Sequence, residues 1–202
     1  GYSTHPWRLG TNVGPTKAIV QGMRSRLAEL AERHQRTVSI VGWSLGGSYA
    51  RALARERPEL VRQVISLGSP YRMVEGDKSS VMSTWKKLSH LHDADIDLNR
   101  IAEQKRPKLT IPATSIYSRR DGVAPWQTCI DEVGPLAENI EVRSSHTALG
   151  VHPAVAFAVL DRLRQPEGEW RPFRAPFALS VWYPRPVSWR PIPGRPAKLV
   201  DV

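Results

Sequence analysis

The pentapeptide Gly42-Trp43-Ser44-Leu45-Gly46 frames a serine with glycines. That GxSxG pattern puts the serine on a sharp strand-to-helix turn, where the flanking positions Gly42 and Gly46 are expected to lack side chains for steric reasons. A serine hydroxyl becomes a nucleophile only when a base removes its proton, and a histidine base needs a carboxylate to orient it. The chain supplies both downstream: Asp121 in SRRDG and His146 in SSHTALG. Ser44, Asp121 and His146 together would support acyl transfer through a serine.

Other side chains compete for these roles. Asp121 precedes Gly122, so a plain turn residue is the competing reading, with Asp131 as the fallback carboxylate. His152 is the alternative base, although its place just before Pro153 is that of a capping residue. His90, His92, Asp93 and Asp95 resemble a ligand cluster, but an HxHDxD string in a polar stretch is more often solvated. No complete ligand set is evident, so no metal is assigned.

The elements around these residues place them consistently. Ile19, Met23, Leu27 and Leu30 recur at helical spacing after Pro15, which predicts a helix ending near Gln35. Thr37 to Trp43 reads as a buried strand, Leu45 to about Arg57 as a helix stopped by Pro58, and Val61 to Leu67 as a second strand. Thr110 to Tyr117 is a third strand, Asn139 to Val142 a short fourth, and Pro153 to Arg164 a helix. Strands alternating with helices predict an α/β fold with a mostly parallel sheet flanked by helices. In such a sheet, groups at the carboxyl ends of the strands converge on one crevice, and Ser44, Asp121 and His146 all follow strands.

Composition narrows the possibilities. With 202 residues, 41% hydrophobic and 24% charged, the chain can build a real core, and the single cysteine, Cys129, excludes an internal disulfide framework. The longest apolar run is far too short to span a bilayer, and no membrane span is expected. The net charge of +10 would attract anionic partners. The basic residues are scattered and no recognition module is present, so nucleic-acid binding is not expected. From Pro166 to Pro196 lie eight of the 17 prolines, interleaved with Trp170, Phe173, Phe177, Trp182, Tyr183 and Trp189. That density argues against helices, and the aromatics argue for an extended arm packed on the domain. A proline-rich ligand for another protein is the rival reading of the same segment. The division expected is therefore residues 1–165 as one domain and 166–202 as a Pro/aromatic-rich extension.

With these motifs in place, the chain from Thr11 to about Arg164 resembles bacterial α/β-hydrolases of the esterase and lipase type. The order Ser44, Asp121, His146 is the order of that family. Leu67 to Pro70 (LGSP) is similar to the segment after the strand that follows the nucleophile helix in many lipases. Trp7 to Thr16 resembles what precedes the nucleophile strand in one group of them. The resemblance implies hydrolysis of a small-molecule ester or lipid with no cofactor, and a helical cap at about residues 71–107 over the acyl pocket; the spacing of Trp85, Leu88 and Leu91 puts them on one helical face there, and a cytoplasmic enzyme is expected. The resemblance also implies the N-H of Leu45 as one oxyanion donor. The family's strand and HG-type loop ahead of the first helix have no counterpart before Ser44, so the fold is expected to be incomplete at its N-terminus and turnover weak. The missing strand would sit beside the nucleophile strand, and Phe177 to Tyr183 is the candidate to replace it. The alternative is a catalytically impaired hydrolase-like fragment that binds a partner or lipid.

Overall fold

The structure is a computed structural model, and it describes residues 2–12, 14–73, 77, 79–80, 87, 89–93 and 103–190. Helix α1 (Lys17–His34) begins two residues later than Pro15 suggested, because Thr16 takes the cap: its side chain accepts from the Ile19 N-H at 3.2 Å. Asp93 also caps this end, accepting from the Lys17 N-H at 2.6 Å. The helix stops at Gln35, whose left-handed backbone returns its N-H to Ala31 and Glu32.

Strand β1 (Val38–Trp43) leads into helix α2 (Leu45–Glu56), and β2 (Val61–Leu67) follows at the predicted limits. Strand β3 (Ala113–Tyr117) starts after Pro112, which has no N-H to give a ladder, and β4 (Ala137–Glu141) starts two residues before the expected one. Helix α3 (Pro153–Arg164) lies where its period predicted. The four strands are parallel in the order β1-β2-β3-β4, with Val41 opposite Ile65, Ile65 opposite Thr114, and Ile116 opposite Ile140.

Alternation along β2 sends successive side chains to opposite faces. Val64 packs with Ile19, Met23, Leu27, Tyr49 and Leu53 of α1 and α2. Ile65 packs with Ile116, Ile140, Val155 and Ala158, against α3. Helices therefore cover both faces, as a buried parallel sheet requires.

The C-terminal segment overturns one expectation. Phe177–Trp182 is a 3-10 helix, not a strand, and the segment lies against β4 and α3, at the opposite edge of the sheet from β1. Its anchors are hydrogen bonds to buried groups. The Phe173 N-H donates to Glu138 at 2.6 Å, Asn139 donates to the Val187 carbonyl at 2.8 Å, and the Val187 N-H donates to the Tyr117 hydroxyl at 3.1 Å. Burial pushes that Tyr117 phenol up to about 12, and it donates onward to Glu141 at 2.9 Å. Pro176 and Pro184 bracket the 3-10 helix and remove ladder donors on both sides of it. Among the described residues, β1 has β2 as its one neighbour, and Val41 and Trp43 on it are exposed.

Candidate active site

Ser44 joins β1 to α2 with φ 53 and ψ −126, a region an L side chain rarely occupies. Such strain persists only where its surroundings over-determine it. Here the Ser44 N-H is tied to the Leu67 carbonyl at 2.9 Å, and the Gly47 N-H returns to the Ser44 carbonyl at 3.1 Å. A Cβ on Gly42 would lie 2.4 Å from the Gly46 carbonyl oxygen, so the turn closes only over a glycine. Gly46 differs from expectation: a Cβ there meets nothing within 4 Å. The second steric requirement falls on Gly47, where a Cβ would lie 2.0 Å from Ser69 Oγ.

Leu45 opens α2, so its N-H has no acceptor within the helix and sits at the positive end of the helix dipole.

Asp121 follows β3 and His146 follows β4, and the two meet. His146 Nδ1 lies 2.7 Å from Asp121 Oδ2, and the His146 N-H donates to the Asp121 carbonyl at 3.1 Å. Both residues are buried. Asp121 Oδ1 accepts from the Val123 N-H at 3.0 Å and the Ala124 N-H at 2.6 Å, which fixes the carboxylate plane. A carboxylate accepts, so the tautomer that fits this contact carries its hydrogen on Nδ1, and in the neutral imidazole Nε2 is then the acceptor. The turn residue reading and the acidic partner reading of Asp121 are thus both present in one side chain.

Two residues tie the serine turn to this pair. Trp43 Nε1 donates to the His146 carbonyl at 3.1 Å, with the rings 5.7 Å apart. Gly68, just past β2 at φ +54, passes beneath the pair: a Cβ there would lie 3.0 Å from Asp121 Oδ2 and 3.3 Å from His146 Nδ1. Ser44 Oγ itself has no hydrogen-bond partner among the described residues.

The competing side chains have other partners. Asp131 bridges two buried guanidiniums, Arg51 Nη2 at 2.6 Å and Arg72 Nη2 at 2.6 Å. Burial alone would raise its carboxyl, but Arg51 and Arg72 hold it below the usual carboxylate range. Glu103 completes the network with Arg51 at 2.7 Å and Arg55 at 2.5 Å. His152 caps α3, its Nδ1 accepting from the Ala154 N-H at 3.2 Å. His90 contacts the Lys87 carbonyl and Asp93 caps α1, while Asp95 lies outside the described residues. Among the described residues no group of three or more His, Cys, Asp or Glu side chains is arranged to hold a metal ion. Most of the expected cap, including Trp85 and Leu88, also lies outside the described residues; Leu91 is exposed.

Sequence reasoning missed the Arg51-Arg72-Glu103 network and the roles of Gly47 and Gly68. One signal was present: Arg51 interrupts the apolar face that Tyr49, Ala50 and Leu53 define on α2.

A parallel sheet covered on both faces, with a strained serine turn after one strand and an acid-histidine pair after two others, is the α/β-hydrolase fold. No protein-family model matches the sequence, and no curated protein matches it. Solved structures do. BpoC from Mycobacterium tuberculosis H37Rv is similar over 73% of this chain and 73% of its own, with 16% identity and a TM-score of 0.50. A monoacylglycerol lipase from Paleococcus ferrophilus is similar over 70% of this chain and 74% of its own, with 12% identity and a TM-score of 0.50. MGS-MChE2, an α/β hydrolase enzyme from a lagoon-sediment metagenome, is similar over 77% and 73%, with 18% identity and a TM-score of 0.47. Identities this low speak for the fold alone. No helix among the described residues is long and apolar enough to cross a membrane.

Proposed function

We propose that the chain hydrolyses carboxylic esters through an acyl-serine, with Ser44 as nucleophile, His146 as base and then acid, and Asp121 orienting His146. The observation that carries this reading is the buried 2.7 Å contact between His146 Nδ1 and Asp121 Oδ2. It leaves Nε2 free to take a proton, and Trp43 links the histidine loop to the serine turn.

In this mechanism Ser44 Oγ adds to the ester carbonyl carbon as its proton passes to His146 Nε2. The carbonyl electron pair moves to oxygen, and the Leu45 N-H at the start of α2 stabilises that charge. Collapse breaks the bond to the alcohol oxygen, which leaves with the proton from His146. Water then adds to the acyl carbon, again giving its proton to His146. Breakdown returns that proton to Ser44 Oγ and releases the acid, so each step balances with water as co-substrate.

The test is labelling by a fluorophosphonate together with hydrolysis of a p-nitrophenyl ester. Ser44→Ala should not label, and His146→Ala should lower the rate about 10⁴-fold. His152→Ala should keep most of its activity, losing about 1 kcal/mol of stability as a cap. Labelling of Ser44→Ala at the wild-type level would remove the nucleophile from the reading, and loss of activity in His152→Ala alone would move the base.

A further inference from the structure

The aromatic residues of the C-terminal segment divide into two groups. Phe173 and Tyr183 face inward: their rings lie 4.9 Å apart, they pack on the α3 core, and the Tyr183 hydroxyl donates to the Ala154 carbonyl at 2.7 Å. Between these anchors the 3-10 helix turns its apolar side chains out. Phe177 is 96% exposed, Val181 62% and Trp182 41%. Val151, at the end of the short helix that follows His146, is 83% exposed, and Trp182 meets the ring of neighbouring His152 edge-on at 5.7 Å. Several large apolar side chains exposed together on one short turn mark a contact surface.

Charge identifies what the surface contacts. From Trp170 to Arg190 the chain carries Arg171, Arg174, Arg185 and Arg190 and no acidic residue. All four are exposed, and among the described residues none is ion-paired. Two copies of such a patch would bring two sets of unpaired arginines together, whereas an anionic layer would neutralise them. Exposed aromatic and aliphatic side chains flanked along the chain by exposed arginines match the layered chemistry of a lipid surface, apolar beneath and anionic at the headgroups.

We propose that the Phe177–Trp182 turn and its flanking arginines dock this protein onto an anionic lipid layer. The turn lies on the side of the domain where the chain runs from His146 into α3. Resting on the hydrolase reading for its chemistry, the docking names the substrate class, an ester-bearing lipid drawn from that layer.

The experiment is co-sedimentation of the full chain with phosphatidylcholine vesicles, with and without phosphatidylglycerol, at low and high salt. The protein should sediment with the phosphatidylglycerol vesicles and be released by salt, because the attraction is screened. Phe177→Asp with Val181→Asp should weaken partitioning about tenfold or more, since it sets charge against the acyl region. Arg174→Ala and Arg185→Ala should each weaken it about fivefold. All four side chains are exposed, so the variants should melt with the wild type. Ser44→Ala should sediment like the wild type, so docking and hydrolysis fail separately. Absence of sedimentation, equal sedimentation with neutral vesicles, or partitioning unchanged by the variants would each overturn the proposal. So would a dimer in solution that Phe177→Asp dissociates, which would make the patch an interface between copies.

Discussion

Gly68→Ala tests whether the glycine beneath the Asp121-His146 pair is required. The residue has φ +54, and an alanine held there loses about 1–2 kcal/mol to left-handed strain. Its methyl would also lie 2.6 Å from Leu149 Cδ1, on a fully buried leucine. Relieving that overlap costs a further 1–3 kcal/mol or about that. The sum is about 2–5 kcal/mol, and at about 2–4 °C per kcal/mol for a chain of this size the melting temperature should fall by roughly 5–20 °C. Chemistry should suffer separately, because the same methyl crowds Asp121 Oδ2 and His146 Nδ1. A displacement of a few tenths of an ångström at a base should slow fluorophosphonate labelling of the folded fraction about 10- to 100-fold. Gly46→Ala is the control, since a Cβ there meets open space. It should melt at or slightly above the wild type, alanine being the better helix former by about 1 kcal/mol. A Gly68→Ala protein that melts within about 2 °C of wild type and labels at the wild-type rate would refute the argument, because left-handed strain alone predicts more.

Two further outcomes follow from the buried polar groups. Asp131→Asn leaves Arg51 and Arg72 without their shared charge and should destabilise by about 3–5 kcal/mol at neutral pH. Asp131 has a depressed carboxyl in the folded protein, so its contribution is present above about pH 4, the unfolded value, and is lost as pH falls through the folded one. The gap in melting temperature between wild type and Asp131→Asn should therefore shrink in acid, and a gap constant down to pH values below about 3 would contradict the pairing. Removing residues 166–202 strips the half-buried Phe173, Tyr183 and Trp189 from the cores they cover and should destabilise by up to about 3 kcal/mol for each ring lost. Equal melting of the shortened and full chains would show that those contacts contribute nothing.

What the sequence made legible was local. The period of α1 and α3 and the β-branched run of β2 each appear where pattern predicted, because burial on one face leaves its spacing in the chain. The Ser44 turn and the residues that follow β3 and β4 were found for the same reason: each follows a recognisable strand. What stayed hidden depends on partners far apart in sequence. The apolar run Phe177 to Tyr183 is as compatible with a strand as with a 3-10 helix, and nothing in it says that its anchors are Glu138, Asn139 and Tyr117 on the far edge of the sheet. Asp131 looks like a free acid until Arg51 and Arg72 fold against it. The motif points to Gly46, and only the approach of Ser69 shows that Gly47 is the one that must lack a side chain.

Placing β1 at the margin of the sheet has a dynamic consequence for Ser44. With β2 as its one described neighbour, β1 directs alternate amides inward, in step with the bonded Ser44 N-H. The amides of Ser39, Val41 and Trp43 point the other way. Opening of a strand held on one side needs the loss of a single ladder, so among the described strands β1 is expected to open more readily than β2 and β3. The strained Ser44 conformation is imposed from the β2 side, by Leu67 and by the close fit of Gly47 on Ser69. Whatever orders that margin from outside would steady the serine without touching it, and whatever frays it would let the strained turn relax first.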